Sequence, residues 1–200
     1  MYKQNFYEVI SNVALTQNVY EMVLSGDTSD ITASGQFVNI KLEGKYLRRP
    51  ISICDYSEKD ITLIYKVVGV GTEQMAEMSE GESLDVLVGL GNGYSTAESG
   101  EKALLIGGGV GVPPLYNLCK KLISEGKEAS VILGFNTKDE IFYEQEFKNL
   151  GANVFVTTVD GSYGIKGFVT DALKNISDCW KAVILHLARG VALIRWTIDS

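Results

Sequence analysis

Leu104-Leu105-Ile106-Gly107-Gly108-Gly109-Val110-Gly111-Val112-Pro113-Pro114 carries a short apolar strand, a glycine-rich turn and a helix start in one continuous run. Backbone without side chains at such a turn lets a phosphate approach closely, and the helix start favours its charge. The glycines do not follow the G-x-G-x-x-G spacing of the dinucleotide fingerprint. Taken alone, the segment also reads as a tight strand-to-helix turn with no ligand. Its flanks supply the context. Ala103 to Ile106 is predicted as a buried strand, and Pro113-Pro114 is tolerated in a first helical turn. Leu115, Leu118, Cys119, Leu122 and Ile123 fall at i, i+3, i+4, i+7 and i+8, one face of a helix that stops near Gly126. Cys119 therefore reads as core. A strand from Ala129 to Leu133, a helix from about Asp139 to Leu150, a strand from Asn153 to Val159 and a helix from about Phe168 to Lys174 continue the alternation. This order predicts a doubly wound parallel sheet, α/β in class, with its ligand edge at the carboxyl ends of the strands. Gly134 to Thr137 and Asp160 to Tyr163 follow predicted strands on that same edge.

Upstream the pattern changes. Phe6 to Ala14, Val19 to Leu24, Gln36 to Leu42, Pro50 to Cys54, Ile61 to Val68 and Leu84 to Val88 read as six short strands. Val38, Ile40 and Leu42 alternate with Phe37, Asn39 and Lys41, the period-2 pattern of a half-buried strand. Gly26-Asp27, Glu43-Gly44 and Glu80-Gly81 break the runs, and one short helix fits around Glu73 to Met78. The expectation is an antiparallel β-barrel. The boundary is placed in the Gly/Ser-containing stretch from Gly91 to Gly100, giving domains 1–97 and 98–200.

Composition narrows the function. With 200 residues, 46% hydrophobic and 22% charged, the chain has material for a real core. A net charge of -7 opposes the electrostatic attraction that carries nucleic-acid binding, so no nucleic-acid partner is expected. Cys54, Cys119 and Cys179 are widely spaced and accompanied by one histidine, His186, which predicts neither a disulfide framework nor a clustered metal site. No signal-length apolar run opens the sequence and no run reaches the length of a membrane span. Ala182 to Ile198 comes nearest but is broken by His186, Arg189 and Arg195. A soluble, cytoplasmic protein is expected.

Three further groups could carry chemistry. Arg48-Arg49-Pro50-Ile51-Ser52 places two guanidinium groups and a hydroxyl at the entry to a strand, a set suited to a diphosphate. Ile64-Tyr65-Lys66 lies on a strand, where the Tyr65 ring is available to pack on a planar group. Gly69-Val70-Gly71-Thr72 then offers the Gly71 and Thr72 amides to phosphate oxygens just before the short helix.

Arg49-Pro50-Ile51-Ser52, Ile64-Tyr65-Lys66, Gly71-Thr72, Leu90-Gly91-Asn92-Gly93-Tyr94 and the run from Gly107 to Pro114, in this order and at these separations, resemble the ferredoxin-reductase-like flavoproteins. Within them the sequence is most similar to the electron-transfer subunits of NAD-dependent (class B) dihydroorotate dehydrogenases, from about residue 5 to about residue 176. The resemblance implies a six-stranded FAD-binding barrel followed by a pyridine-nucleotide domain. It implies that Arg49, Pro50, Ile51 and Ser52 line the flavin, with Arg49 on the diphosphate and Ser52 near the isoalloxazine. It further implies that Ile64, Tyr65 and Lys66 face the flavin and ribityl chain and that Gly71 and Thr72 hold the diphosphate. Gly107, Gly108, Gly109 and Gly111 would cradle NAD. Members relay electrons in pyrimidine biosynthesis: a catalytic FMN subunit oxidises dihydroorotate, a 2Fe-2S cluster carries the electrons to FAD, and FAD reduces NAD+. The implied partner is that catalytic subunit, in a heterotetramer of two subunits of each kind. The lack of a Ser/His/Asp or Cys/His arrangement agrees with an oxidoreductase subunit whose cofactors carry the chemistry, so no catalytic side chain is expected.

After about Asn175 the resemblance stops. Cys179 is followed by Trp180 rather than the family's Gly-Pro, and no cysteine follows, whereas four thiolates are the usual 2Fe-2S ligand set. No metal ligands are expected in these residues. Two readings of the tail stay open: the product of a frameshift or early stop, or a divergent but real last strand from about Ala182 to Leu187. Two rival functions also stay open: a subunit of a ferredoxin:NADP or sulfide dehydrogenase complex, and a non-catalytic flavin-binding remnant. The acidic residue expected to read a ribose 2′-hydroxyl has Asp139 and Glu140 as candidates, leaving NAD against NADP undecided.

Overall fold

Strand alternation builds the first unit. In the computed structural model, which describes residues 3–97, 99–173, 182–187 and 190–192, the chain divides into two compact units, Met1–Tyr94 and Ser95–Ser200. In the first, strands β1 (Lys3–Ala14), β2 (Val19–Ser25), β3 (Phe37–Lys41), β4 (Arg49–Tyr56), β5 (Asp60–Lys66) and β6 (Ser83–Leu90) close into a barrel in the order β1-β2-β5-β4-β3-β6. Every pairing is antiparallel. Val38 and Ile40 point inward with Tyr7, Val9, Met22, Leu24, Leu63, Tyr65 and Val86, all buried in one apolar cluster. Closure leaves no unpaired edge. Helix α1 (Val70–Ala76) connects β5 to β6 and sends Met75 into the same cluster. It begins three residues earlier than the sequence pattern predicts, directly at the glycine-containing connection.

A charged brace crosses the outside of the barrel. Arg48 donates to both carboxylate oxygens of Asp85 at 3.0 Å and, through Nη1, to the carbonyls of Asn39 and Asp85 at 3.1 and 3.3 Å. Gln4 adds a bond to Asp85 at 2.9 Å. The Arg48 and Asp85 side chains are only 21% and 11% exposed, so losing one partner strands the other in a half-dry site. Arg48→Ala is expected to destabilise the first unit by about 1.5 to 3 kcal/mol, the range for hydrogen bonds to charged groups. Urea unfolding followed by near-UV circular dichroism checks this, and an unchanged midpoint would show the brace to be idle.

In the second unit, β7 (Lys102–Gly108), β8 (Glu128–Phe135), β9 (Asn153–Thr158), β10 (Ile165–Lys166), β11 (Ala182–Leu187) and β12 (Gly190–Ala192) form one sheet in the order β10-β9-β8-β7-β11-β12. All neighbours are parallel except the β11–β12 pair. Helix α2 (Pro113–Ser124) buries Leu115, Leu118, Cys119 and Leu122 and ends before Gly126, whose φ is +80°. Its Leu115 reaches the side of β7 that Gly107 faces. Helix α4 (Val169–Leu173) covers the opposite side, where Ala172 and Val169 pack with Leu104, Ile106 and Ile132. Helices on both faces satisfy the doubly wound expectation.

One local expectation is revised. The continuous helix from about Asp139 to Leu150 is replaced by a 3-10 turn at Lys138–Glu140 and a short helix α3 (Glu144–Asn149). Tyr143 between them takes a left-handed φ of 65°. Ring contacts explain the break: Phe142 meets Phe135 at 5.3 Å, and Tyr143 and Phe147 meet Tyr116 at 5.1 and 5.4 Å. Burying these rings outweighs helical continuity. The tail does supply a strand at Ala182–Leu187, paired with β7 from Ala182–Ala103 to His186–Gly107. Cys179-Trp180 and the frameshift or early-stop reading lie outside the described residues. No helix among the described residues is long and apolar enough to cross a membrane.

Candidate functional site

The first unit gathers three of the sequence groups on adjacent elements. Strands β4 and β5 pair at Ile53–Leu63, and α1 follows β5 after residues 67–69. Residues 49–52, 64–66 and 71–72 thus lie on neighbouring segments. The two arginines separate. Arg48 is held by Asp85, while the Arg49 guanidinium lies over Gly71 and Nη1 donates to the Leu47 carbonyl. A Cβ at Gly71 would stand 2.6 Å from Arg49 Nη2 and 2.7 Å from Cζ, so a side chain there would push the guanidinium off this seat. The two-guanidinium fork is therefore corrected to a single cation.

Other side chains in the group are already engaged. Thr72 Oγ1 accepts from the Val68 amide at 2.9 Å and donates to the Gly69 carbonyl at 3.0 Å, closing the turn before α1. Ile64 and Tyr65 are buried, and the Tyr65 hydroxyl donates to Asn12 Oδ1 at 3.0 Å. The Tyr65 ring stacks on Tyr20, centroids 5.9 Å apart. It is thus barrel core and not a platform for a planar ligand, which corrects the sequence expectation for its ring. Burial raises the Tyr65 phenol well above its ordinary value, so it stays a neutral donor. Pro50 is exposed, and Ile51, Ser52 and Lys66 are half-buried.

The second unit concentrates its features at the carboxyl ends of β7, β8 and β9. Strand order reverses around β7, with β8 and β9 on one side and β11 on the other, the kind of topological switch point at which open α/β sheets bind ligands. The glycine run lies there and its members differ. A Cβ at Gly107 would meet Leu115 Cδ1 at 2.8 Å and Val112 Cα at 3.0 Å, so Gly107 serves the close approach of strand and helix. Gly109 has φ +52° and nothing within 4 Å of a Cβ position, and Gly108 meets only the Gly134 carbonyl, at 3.8 Å. The 3-10 turn Gly109–Gly111 then leads into α2.

Sequence reading overlooked Thr157. It lies in register with Gly134, itself in register with Gly108, and its buried hydroxyl has no hydrogen-bond partner among the described residues. The only local signal was the Thr157-Thr158 pair ending a strand. Beyond it, the Lys138 amide donates to Ser162 Oγ at 2.8 Å. The Ser162 hydroxyl and amide donate to Asp160 at 2.6 and 2.9 Å, which holds that carboxyl below its usual range. Glu140 accepts from Asn136 Nδ2 at 2.8 Å, whereas Asp139 is exposed.

The two described cysteines, Cys54 and Cys119, are shielded from solvent. Both are fully buried, and burial pushes the Cys119 thiol up to about 12. A neutral, shielded thiol is inert. Neither is expected to react with iodoacetamide at pH 8 in the folded protein, and both should react in urea. Peptide mapping by mass reads the result, and labelling of native Cys119 would contradict its place in the core.

A closed antiparallel barrel followed by a doubly wound nucleotide-type sheet defines the ferredoxin-reductase-like class of oxidoreductases. A solved NADH-dependent reduced ferredoxin-NADP oxidoreductase, described for flavin-based electron bifurcation, is 32% identical with a TM-score of 0.82, covering 91% of this chain and 67% of that one. A ferredoxin NADP+ reductase from Neisseria gonorrhoeae, solved with FAD and NADP, shares the fold at 16% identity and TM-score 0.77, covering 92% of this chain and 85% of that one. Residues 105–185 match the oxidoreductase NAD-binding domain family. A dihydroorotate dehydrogenase B (NAD(+)) electron transfer subunit from Geobacillus sp. (strain WCH70) is 45% identical over 86% of this chain and 70% of its own. The same-named protein of Bacillus mycoides (strain KBAB4) is 48% identical over 88% of this chain and 70% of its own. The chain belongs to the family of dihydroorotate dehydrogenase B (NAD(+)) electron transfer subunits.

Proposed function

We propose that this chain is the electron-transfer subunit of an NAD-dependent dihydroorotate dehydrogenase, relaying electrons from dihydroorotate oxidation through FAD to NAD+ in pyrimidine biosynthesis. The observation that carries the reading is the 45% to 48% identity to subunits of that name over most of the chain. It favours this assignment over a ferredoxin-NADP type of complex, whose cited representative is 32% identical. The partner is a catalytic subunit, in the two-plus-two assembly the family resemblance implies, in the cytoplasm.

Both nucleotide cofactors fit the residues present. For FAD, the fit rests on the Arg49 guanidinium seated on Gly71, where the absence of a side chain leaves it room. For NAD, it rests on the open, positive-φ Gly109 and the orphaned Thr157 hydroxyl. Bound FAD supplies the two-electron chemistry that links dihydroorotate to NAD+. The chain's residues bind and orient. Arg49 neutralises a diphosphate above Gly71 and Thr72, whose turn is held shut by the Thr72 hydroxyl. Pro50, Ile51 and Ser52 on β4, with the backbone of Ile64, Tyr65 and Lys66 on β5, line the flavin side of that site. Gly107, Gly108, Gly109 and Gly111 shape the nicotinamide-nucleotide turn. A 2Fe-2S cluster does not fit these residues: the sequence has three cysteines, and two of them are separately buried.

Anaerobic absorbance spectra of the chain reconstituted with FAD, before and after NADH, test the proposal. Bound flavin that bleaches is expected. Bound flavin that stays oxidised would remove the nucleotide half of the reading, and no bound flavin would remove both.

A further inference from the structure

Asn12 lies on β1, outside every sequence group assigned to cofactors, yet it holds the far end of the helix that carries Gly71 and Thr72. Its Nδ2 donates to the Met75 carbonyl at 2.8 Å and the Met78 carbonyl at 3.0 Å, with the Ala76 carbonyl at 3.4 Å. Its Oδ1 accepts from the Tyr65 hydroxyl at 3.0 Å. One half-buried amide thus joins β1, β5 and the C-terminal turn of α1.

The carbonyls of a last helical turn have no partner within the helix, so a side-chain donor there sets where the helix ends. The need is acute for α1. A helix of seven residues has too few internal bonds to be stable by itself, so its placement comes from tertiary anchors. Its described anchors include Met75, buried in the barrel core, Met78, packed against that core just past the helix, Gln74, whose Nε2 donates to the Glu43 carbonyl at 3.4 Å, and Asn12, which alone among them bonds the carbonyls of the last turn. Gly71 and Thr72 occupy the first turn of this same short element, beneath Arg49. A shift of the last turn would carry through so short a helix to the first. The Asn12 amide is itself oriented, because the backbone carbonyls only accept and so require Nδ2 on their side, which leaves Oδ1 to accept from the buried Tyr65 hydroxyl.

We infer that Asn12 is a positioning residue for the FAD diphosphate: its Nδ2–H donors hold the C-terminal carbonyls of α1 and thereby fix the Gly71–Thr72 turn against Arg49. The inference rests on the proposed placement of the FAD diphosphate at Arg49, Gly71 and Thr72. Preorganisation of this kind appears as affinity, because ligand binding no longer has to order the turn.

Asn12→Asp is the informative variant. It keeps an acceptor for Tyr65 but replaces the donors with a charge that repels the helix carbonyls. FAD affinity is expected to fall about tenfold, equivalent to about 1.4 kcal/mol, as read by quenching of flavin fluorescence on titrating the full chain. The 31P resonances of the bound diphosphate should also move. Tyr7→Phe removes a hydrogen bond of similar kind, to the Asp27 carbonyl, from the same barrel and serves as the stability control. It should lower the melting temperature and leave the 31P resonances in place. Asn12→Ser, neutral and smaller, reads the same loss if Asn12→Asp does not fold. Arg49→Ala separates the two levels of argument. If Arg49→Ala weakens FAD while both Asn12 variants match Tyr7→Phe in affinity and 31P shift, the positioning role is overturned and the diphosphate site stands. If Arg49→Ala also leaves FAD affinity unchanged, the diphosphate placement fails and the inference falls with it.

Discussion

Arg49→Ala is expected to weaken FAD binding by about 10- to 150-fold, from a charge-assisted contact worth about 1.5 to 3 kcal/mol. The structure sharpens this expectation. Arg48 is tied to Asp85, so it cannot move across to replace the missing cation. The Arg49 guanidinium, by contrast, has its described side-chain bond only to a backbone carbonyl on the preceding loop, that of Leu47. Its removal leaves Gly71 uncovered but no carboxylate stranded, so the fold should persist while affinity falls. Arg49→Lys retains charge but not the planar fork and should recover only part of the loss. Titration of the FAD-depleted chain, with circular dichroism to establish folding, measures the effect. Full affinity in a folded Arg49→Ala variant would exclude Arg49 from the diphosphate site.

The second large effect belongs to Gly109. Gly109→Val is expected to slow NADH-dependent flavin reduction on the order of 100-fold, or about 2.7 kcal/mol, with FAD still bound. Two causes act together. At φ +52° a β-branched residue is strained, and its side chain enters space that is otherwise open at this turn. The comparison with Gly107 is diagnostic. Valine at Gly107 would strike Leu115 and the Val112 backbone, so it should disrupt α2 packing and the second unit itself. Gly109→Val should instead leave the unit's circular dichroism unchanged. Stopped-flow reduction of bound flavin by NADH measures the rate, and a wild-type rate in Gly109→Val would place the nucleotide elsewhere.

The barrel and the parallel sheet were legible from pattern because each strand buries one face or both. Period-2 alternation in β3 and the continuous apolar run in β7 report those environments directly. The helix predicted across residues 139–150 failed for a nonlocal reason: Phe142 and Tyr143 gain more from Phe135 and Tyr116 than from helical continuity. Thr157 escaped notice because its lack of a partner is a property of its surroundings, invisible in a strand-like dipeptide. The same limit applied to Asn12, whose partners Met75 and Met78 lie 63 and 66 positions away.

By itself, the sequence determined that this protein is a strand-built barrel followed by an alternating sheet-and-helix unit, because hydrophobic period and glycine-proline punctuation are local consequences of burial and backbone sterics. It also marked the family's cofactor-type segments, whose order and spacing are linear properties. Only the tertiary structure decided which arginine braces the barrel and which lies over Gly71. It alone turned the Tyr65 ring into the core and divided the glycine run between a packing contact and an open turn. Those assignments depend on which atoms from distant segments share a few ångströms, and side chains adjacent in sequence need not share surroundings in space.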